Sequence, residues 1–564
     1  MTITRVSVDS AGNQANGRSD DFSISGDGRF VAFSSFADNL VPGDTNNSRD
    51  IFVRDLSTNT TTLVSASSSG DRGNGESDFY FSISTDGRFV AFSSEASNLV
   101  PGDTNNTEDI FVRDLLTNTT TRVSVDSAGN QGNDFSYAPS ISADGRFITF
   151  SSFADNLVPG DTNDSLDIFV RDLSTNTTTR ISVDSAGSQG NDASYSPFIS
   201  GDGRFVTFVS DASNLVLGDT NNSSDIFVRD LLTNTTTLVS VDSAGNQGNN
   251  GVGYGASSIL ANGRFIAFES GATNLVPGDT NNSSDIFVRD LSTNTTTRIS
   301  VDSAGNEANS FSYAPSISAD GRFVTFSSDA TNLVPGDSNN ADDIFVRDLS
   351  TNTTTRVSAL EAGNQGNGSS YSSSISANGR FVTFLSDSSN LVSGDTNRTT
   401  DLFVADIGNT PGGTNNSPNA INGTPGNDNL TGTNGSDNIS GLDGDDALTG
   451  RQGNDILNGG DGNDILNGGK GFDTLNGGLG NDILVGGAGN DVFVLGAGLG
   501  VDTISDFANS QDTFQLINGL TFGQLSISPG TNGTLIRVAS SGEVLASLTG
   551  VAPNLIGSED FISI

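Results

Sequence analysis

Eight aspartates stand nine residues apart, at Asp428, Asp437, Asp446, Asp455, Asp464, Asp473, Asp482 and Asp491. Two residues before each lies a glycine: Gly426, Gly435, Gly444, Gly453, Gly462, Gly471, Gly480 and Gly489. In the last four copies another glycine precedes the aspartate by five residues, at Gly459, Gly468, Gly477 and Gly486. Two residues after each aspartate comes a large apolar side chain, from Leu430 and Ile439 to Leu484 and Phe493. Carboxylates and the bare carbonyls of glycine turns are hard oxygen donors. They suit Ca2+, which takes about six to eight oxygens at ~2.3–2.6 Å. The chain has no histidine and no cysteine. That removes the usual ligands of zinc and copper, and with histidine the commonest general base.

The unit reads Gly-Gly-x-Gly-x-Asp-x-U-x, with U large and apolar, in consecutive in-phase copies. It resembles the RTX, or hemolysin-type, calcium-binding repeat. The resemblance implies a parallel β-roll in which the aspartates and glycines named above bind Ca2+. Six residues then form a turn and three a short strand, successive turns fall on opposite sides, and a coil takes about eighteen residues. Asp464 would stack between Asp446 and Asp482 at roughly ~4.8 Å. Like charges at that distance repel by about 0.9 kcal/mol even in water, which a cation between rungs relieves. The alternative is an Asn/Asp/Gly solenoid whose aspartates cap turns. The second glycine of the motif is present at Gly460, Gly469, Gly478 and Gly487, whereas the first four copies carry Thr424, Thr433, Leu442 and Arg451 there. Sites built from those early copies are expected to be weaker. Downstream, residues 501–516 resemble the segment that follows RTX rolls, with Asp502, Asp506 and Asp512 either further ligands or plain surface acids.

The elements upstream follow a longer period. Gly-Arg-Phe recurs with its glycine at Gly28, Gly87, Gly145, Gly203, Gly263, Gly321 and Gly379. Each unit reads as four short strands of alternating polarity, with Asp-Gly or Asn-Gly suited to a tight hairpin between the first two. Seven such units predict a seven-bladed β-propeller. The chain opens on a lone fourth strand, TITRVSVD, and the last unit stops at Ile407 without one. Residues 2–9 are therefore expected to complete the last blade and leave no free edge. The repeat resembles the TolB-like propeller family, which implies a fold and not an activity. The fold class expected is all-β: a seven-bladed TolB-like propeller over 1–407, a Gly/Pro/Asn/Ser linker over 408–421, a parallel RTX β-roll over 422–495, and a small β cap with a secretion signal over 496–564.

Acidic residues outnumber basic ones 67 to 25, for a net charge of −42. That argues against nucleic acid and anionic membranes as partners, since both need basic patches. No run approaches the ~20 apolar residues of a membrane span, so no membrane insertion is expected. The start, MTITRVSVDS, has no apolar signal segment, and the end, EDFISI, resembles uncleaved type I secretion signals. A secreted protein exported by its C-terminal signal is the expectation.

The propeller loops repeat Asp-x-Asn-x-Ser, as at Asp44, Asn46 and Ser48, and close on a further aspartate such as Asp50. Alternating oxygens can converge on calcium, or the same side chains can form Asx-turns. The arginines of GRF, VRD and TTTR follow the repeat and are expected to bond strands and carboxylates inside the blades. Without histidine a Ser-His-Asp triad is impossible, the loops are near-copies around the ring, and no tryptophan is present for sugar stacking. The chain is expected to be no enzyme, with the propeller a platform for a protein partner. The alternative is a secreted, carboxylate-based hydrolase, such as one acting on glycosides, with its site on the propeller face.

Overall fold

Short alternating segments joined by Asp-Gly and Asn-Gly turns satisfy their backbone groups as antiparallel hairpins. The computed structural model arranges them so. It describes every residue except 47, 261–262, 361–363, 409–418, 434–436, 510, 518 and 564. The chain forms two compact units, Met1–Asp406 and Ile407–Ile564.

The first unit is seven four-stranded sheets. Blade 1 consists of Ser19–Ile24, Phe30–Ser35, Asp50–Asp55 and Thr60–Leu63, in that order. Blade 5 consists of Val252–Ile259, Phe265–Ser270, Asp285–Asp290 and Thr295–Arg298. Blade 7 takes Ser370–Ile375, Phe381–Ser386 and Asp401–Asp406 from the end of the repeats and Thr2–Arg5 from the start of the chain. Thr2 lies opposite Asp406 and Arg5 opposite Phe403. The ring closes as its ends predicted.

Each repeated motif has a packing reason. Gly28 has φ +77, and a Cβ there would overlap the Phe381 ring of blade 7. Gly87 meets Phe30 in the same way, so the GRF glycine seats the GRF phenylalanine of the preceding blade. Arg29 lies 4.6 Å over its own Phe30 ring. It also donates from Nε and Nη2 to the two oxygens of Asp55, at 3.0 and 2.8 Å. That fork holds the Asp55 carboxyl well below the usual range. Arg54 is buried and donates from Nη1 to the carbonyls of Asp9 and Asn59, at 3.0 and 2.8 Å. Inside the blade, Phe33 and Phe52 pack at 5.7 Å between centroids.

The first strands of all seven blades bound a cavity of about 430 Å³, lined by small side chains such as Ser23, Ser82, Pro139 and Ser258 together with the aromatic rings of Phe22, Tyr80, Phe81 and Phe198. These strands slip register, as between Tyr137 and Ser140, and Ala138 there adopts φ 53.

The second unit is two facing stacks of parallel strands. One sheet runs through Asn419–Asn422, Asp437–Asp443, Ile456–Asp461, Thr474–Leu479, Val492–Leu495, Thr513–Leu516 and Phe561–Ser563. The other runs through Asn429–Thr431, Ala447–Gln452, Ile465–Lys470, Ile483–Ala488 and Asp502–Ile504. Ile439 pairs with Leu457 and Leu457 with Leu475, which is the eighteen-residue coil. The apolar position of every copy from Ile439 to Phe493 is fully buried in one core.

The boundary with the linker moves. The stack begins at Asn419, inside the stretch read as linker, and 409–418 lie outside the described residues. Ile421 already keeps the apolar period, pairing with Ile439, although Asn419 stands where an aspartate would. At the other end, the cap prolongs both sheets. Phe514 and Phe561 stack on the Phe493 side, and Leu525–Pro529, Gly533–Val538 and Val544–Thr549 form an antiparallel meander joined to Asp502–Ile504. Among the described residues, no helix is long and apolar enough to cross a membrane.

Candidate metal centre

The nine-residue period puts every other aspartate on the same side of the roll, one coil apart. Each carboxylate then reaches back along the stack. The amide of Asp446 donates to Asp464 Oδ1 and that of Asp464 to Asp482 Oδ1, both at 2.8 Å. On the other side Asp437, Asp455 and Asp473 donate to Asp455, Asp473 and Asp491 Oδ1, at 2.7, 2.8 and 2.9 Å. The ladder passes beyond the repeats, because Asp482 and Asp491 donate to Asp502 and Asp512 Oδ1, at 3.3 and 2.9 Å. Asp506 accepts from the amides of Gly486 and Gly487, at 3.0 and 2.8 Å.

One oxygen of each carboxylate is thus used. The other, Oδ2 of Asp446, Asp455, Asp464, Asp473, Asp482 and Asp491, is buried with no hydrogen-bond partner. A buried orphan acceptor is costly, and here it recurs in six successive copies. Burial, first, and neighbouring carboxylates push four of these carboxyls and that of Asp502 up. Asp464 and Asp491 rise to about 6, and Asp455, Asp473 and Asp502 to about 7. Burial also raises Asp482 and Asp512.

The first glycine of each motif shapes the space beside the orphan. A methyl group at Gly441 would overlap Asp446 Oδ2 and the carbonyl of Gly459, and one at Gly459 would overlap Asp464 Oδ2 and the carbonyl of Gly477. Gly468, Gly477 and Gly486 stand likewise against Asp473, Asp482 and Asp491. Beside Asp446, Asp455 and Asp464 a carboxylate oxygen and a glycine carbonyl therefore converge on one cradle, a donor set that fits calcium. Ca2+ bound there supplies the positive charge that the stacked carboxylates lack. The fourth-position glycines do something else. Gly462, Gly471, Gly480 and Gly489 lie at φ between 133 and 150 and stack on Gly444, Gly453, Gly462 and Gly471, one coil earlier, so closely that a Cβ would overlap those carbonyls. Gly426 has open space around it, and Gly435 lies outside the described residues.

The early copies differ as their threonines suggest. Thr424 donates from its amide and hydroxyl to Asp428 Oδ2, at 2.6 and 2.9 Å, and Thr433 does the same to Asp437, at 2.6 and 3.1 Å. Those two carboxylates are already covered. Asp446 and Asp455 are not, although Leu442 and Arg451 replace glycine in their motifs. Sequence reading passed over Gly441 and Gly450, whose position at the head of each motif was the available signal.

The propeller loops use their oxygens internally. Asn163 Oδ1 accepts from the Ser165 amide at 3.1 Å, an Asx-turn, and its Nδ2 donates to the carbonyl of Gly190 at 3.0 Å. Asp161 and Asp167 share Gln189 Nε2, at 2.7 and 2.9 Å, and lie 3.2 and 3.5 Å from Arg180 Nη1.

The family model for the RTX calcium-binding nonapeptide repeat matches residues 422–457 and 458–493. No curated protein matches the chain. Among solved structures, TolB from Acinetobacter baumannii is 17% identical over 55% of this chain and 59% of its own, with a TM-score of 0.32. An oligogalacturonate lyase from Vibrio parahaemolyticus is 13% identical over 73% of this chain and 99% of its own, at 0.44. The propeller domain of the trilobed protease from Pyrococcus furiosus is 12% identical over 69% and 96%, at 0.43. On the matched motif and the stacked geometry together, the C-terminal unit carries RTX calcium-binding repeats, and they follow a seven-bladed β-propeller.

Proposed function

We propose that this chain is an exported, non-enzymatic calcium-binding protein whose roll orders when Ca2+ binds and whose propeller presents a surface to a protein partner. The observation that carries the calcium half is the run of six buried, unpartnered Asp Oδ2 atoms, those of Asp446, Asp455 and Asp464 lying beside a glycine carbonyl as well. Without the ion, folding must bury repelling carboxylates and order a glycine-rich backbone, both unfavourable. With it, binding free energy becomes folding free energy. Low cytosolic and high external calcium would then keep the roll open during transit and close it outside. An uncleaved C-terminal signal of the EDFISI kind fits such a route. The platform role is supported by the near-identity of the blades, which spends carboxylates and arginines on internal pairs.

Hydrogen exchange on the full chain tests the calcium reading. Amides of 437–495 should exchange freely in chelator and become protected when Ca2+ is added. Full protection in chelator would sink it. Export is tested by removing residues 559–564 in a host with a type I exporter, which should leave the chain inside the cell.

A further inference from the structure

Every blade repeats one carboxylate pair, and six blades give it a donor that the remaining blade lacks. Gln131 Nε2 donates to Asp103 Oδ1 and Asp109 Oδ2, at 2.8 and 2.7 Å. Gln14, Gln189, Gln247 and Gln365 do the same for their pairs. In blade 1 the guanidinium of Arg72 takes the place, 2.8 Å from Asp44 and 2.6 Å from Asp50. In blade 5 the residue is Glu307, so a donor has become an acceptor.

The consequences are local and visible. Glu307 Oε1 lies 2.5 Å from Arg298 Nη1, and Oε2 accepts from Thr280 Oγ1 at 2.7 Å. The same Nη1 is 3.4 Å from Asp285 and 4.0 Å from Asp279. One guanidinium faces three carboxylates. The Asp279 side chain is only 2% exposed. Its Oδ1, whose counterpart accepts the glutamine donor in five blades, has no hydrogen-bond partner. Oxygens of Asp279, Asp285 and Glu307 all lie within 4.8 Å of one another.

We propose that blade 5 holds a divalent cation between Asp279, Asp285 and Glu307, in the position that glutamine nitrogen fills elsewhere in the ring. The donors are all hard oxygens, which selects calcium-like ions over zinc or copper. An irregular three-carboxylate set with a guanidinium beside it suits the flexible shell of Ca2+ better than the strict octahedron of Mg2+. Two positive charges balance the excess that Arg298 leaves. The site shares no residue with the roll, so either can fail without the other.

The test is crystallography of the full chain grown with CaCl2, with anomalous data at long wavelength. A peak should appear among the three carboxylates, and none between Asp161, Asp167 and Gln189. Glu307→Gln installs the residue that five blades already fold with. It should remove the blade-5 peak, leave those of the roll, and lower the calcium bound in equilibrium dialysis by one ion per chain. Gln189→Glu should add one ion in blade 3. The proposal is overturned if blade 5 shows no peak at calcium concentrations that fill the roll, or if wild type and Glu307→Gln bind equal numbers of ions. A proton shared by Asp279 and Glu307 would give that second result.

Discussion

At the scale of the residue, the roll turns on which carboxylate oxygen has a partner. Asp464 and Asp482 each leave Oδ2 without one, whereas Thr424 covers that atom of Asp428. Replacing Asp464 and Asp482 together with alanine should raise the calcium midpoint of folding by about tenfold or more, equal to ~1.4 kcal/mol. Asp428→Ala should shift it by about threefold or less. Calcium titrations followed by circular dichroism compare the three proteins, and equal shifts would remove the distinction. Protons compete for the same oxygens. Burial raises Asp464 and Asp491 to about 6 and Asp455 and Asp473 to about 7, above the ordinary 3.8. A raised folded pKa means that the folded state binds protons more tightly than the unfolded one. Its stabilisation is complete below about pH 4 and disappears as pH rises through 6 to 7. Calcium-stripped protein should therefore show more roll structure at about pH 4.5 than at about pH 8. A calcium-free roll that is more ordered at the higher pH would contradict this assignment of the buried carboxyls.

At the scale of the element, strain sits where the motif departs from glycine. Leu442 and Arg451 hold φ 84 and 88 in the place where Gly460 and Gly469 hold 114 and 112. Left-handed backbone costs a non-glycine residue on the order of 1–3 kcal/mol, offset in part by the greater freedom of glycine when unfolded. Leu442→Gly or Arg451→Gly should stabilise the calcium-loaded roll by about 1 kcal/mol, read as a higher unfolding temperature in saturating Ca2+. The propeller hairpin makes the opposite case. Gly145 has φ +74, and a Cβ there would overlap the Phe89 ring. Gly145→Ala should destabilise the propeller by about 2 kcal/mol or more, since left-handed strain and overpacking add. An unchanged denaturation midpoint would mean that the hairpin can shift away from its neighbour.

At the scale of the whole propeller, closure joins the two ends of the repeat region. Thr2–Arg5 pairs with Asp401–Asp406, Ser7 Oγ donates to Asp401 Oδ1 at 2.8 Å, and Gln14 Nε2 bridges Asp395 and Asp401 at 3.0 and 2.8 Å. Deleting residues 1–9 removes the outer strand of blade 7 and exposes the edge of Asp401–Asp406. The truncated protein should unfold at lower temperature and self-associate, since an open edge is a template for pairing. A soluble monomer that melts with the parent would show that blade 7 stands without its fourth strand.

The periods were readable because they are local. Alternation of polar and apolar residues, a glycine that tolerates positive φ and an apolar residue every nine positions are steric properties of a few adjacent residues. They determined seven blades, the closing strand and the eighteen-residue coil. Partners were not readable, because they depend on distances across a coil or a blade. Arg29 meets Asp55, and Asp279 meets Glu307, only after hairpins bring together residues more than twenty positions apart. The same holds for the orphan oxygens. Thr424 and Thr433 stand only four residues from the aspartates they cover and set those two copies apart in sequence, whereas only stacking decides that the other six keep a buried Oδ2 for an ion.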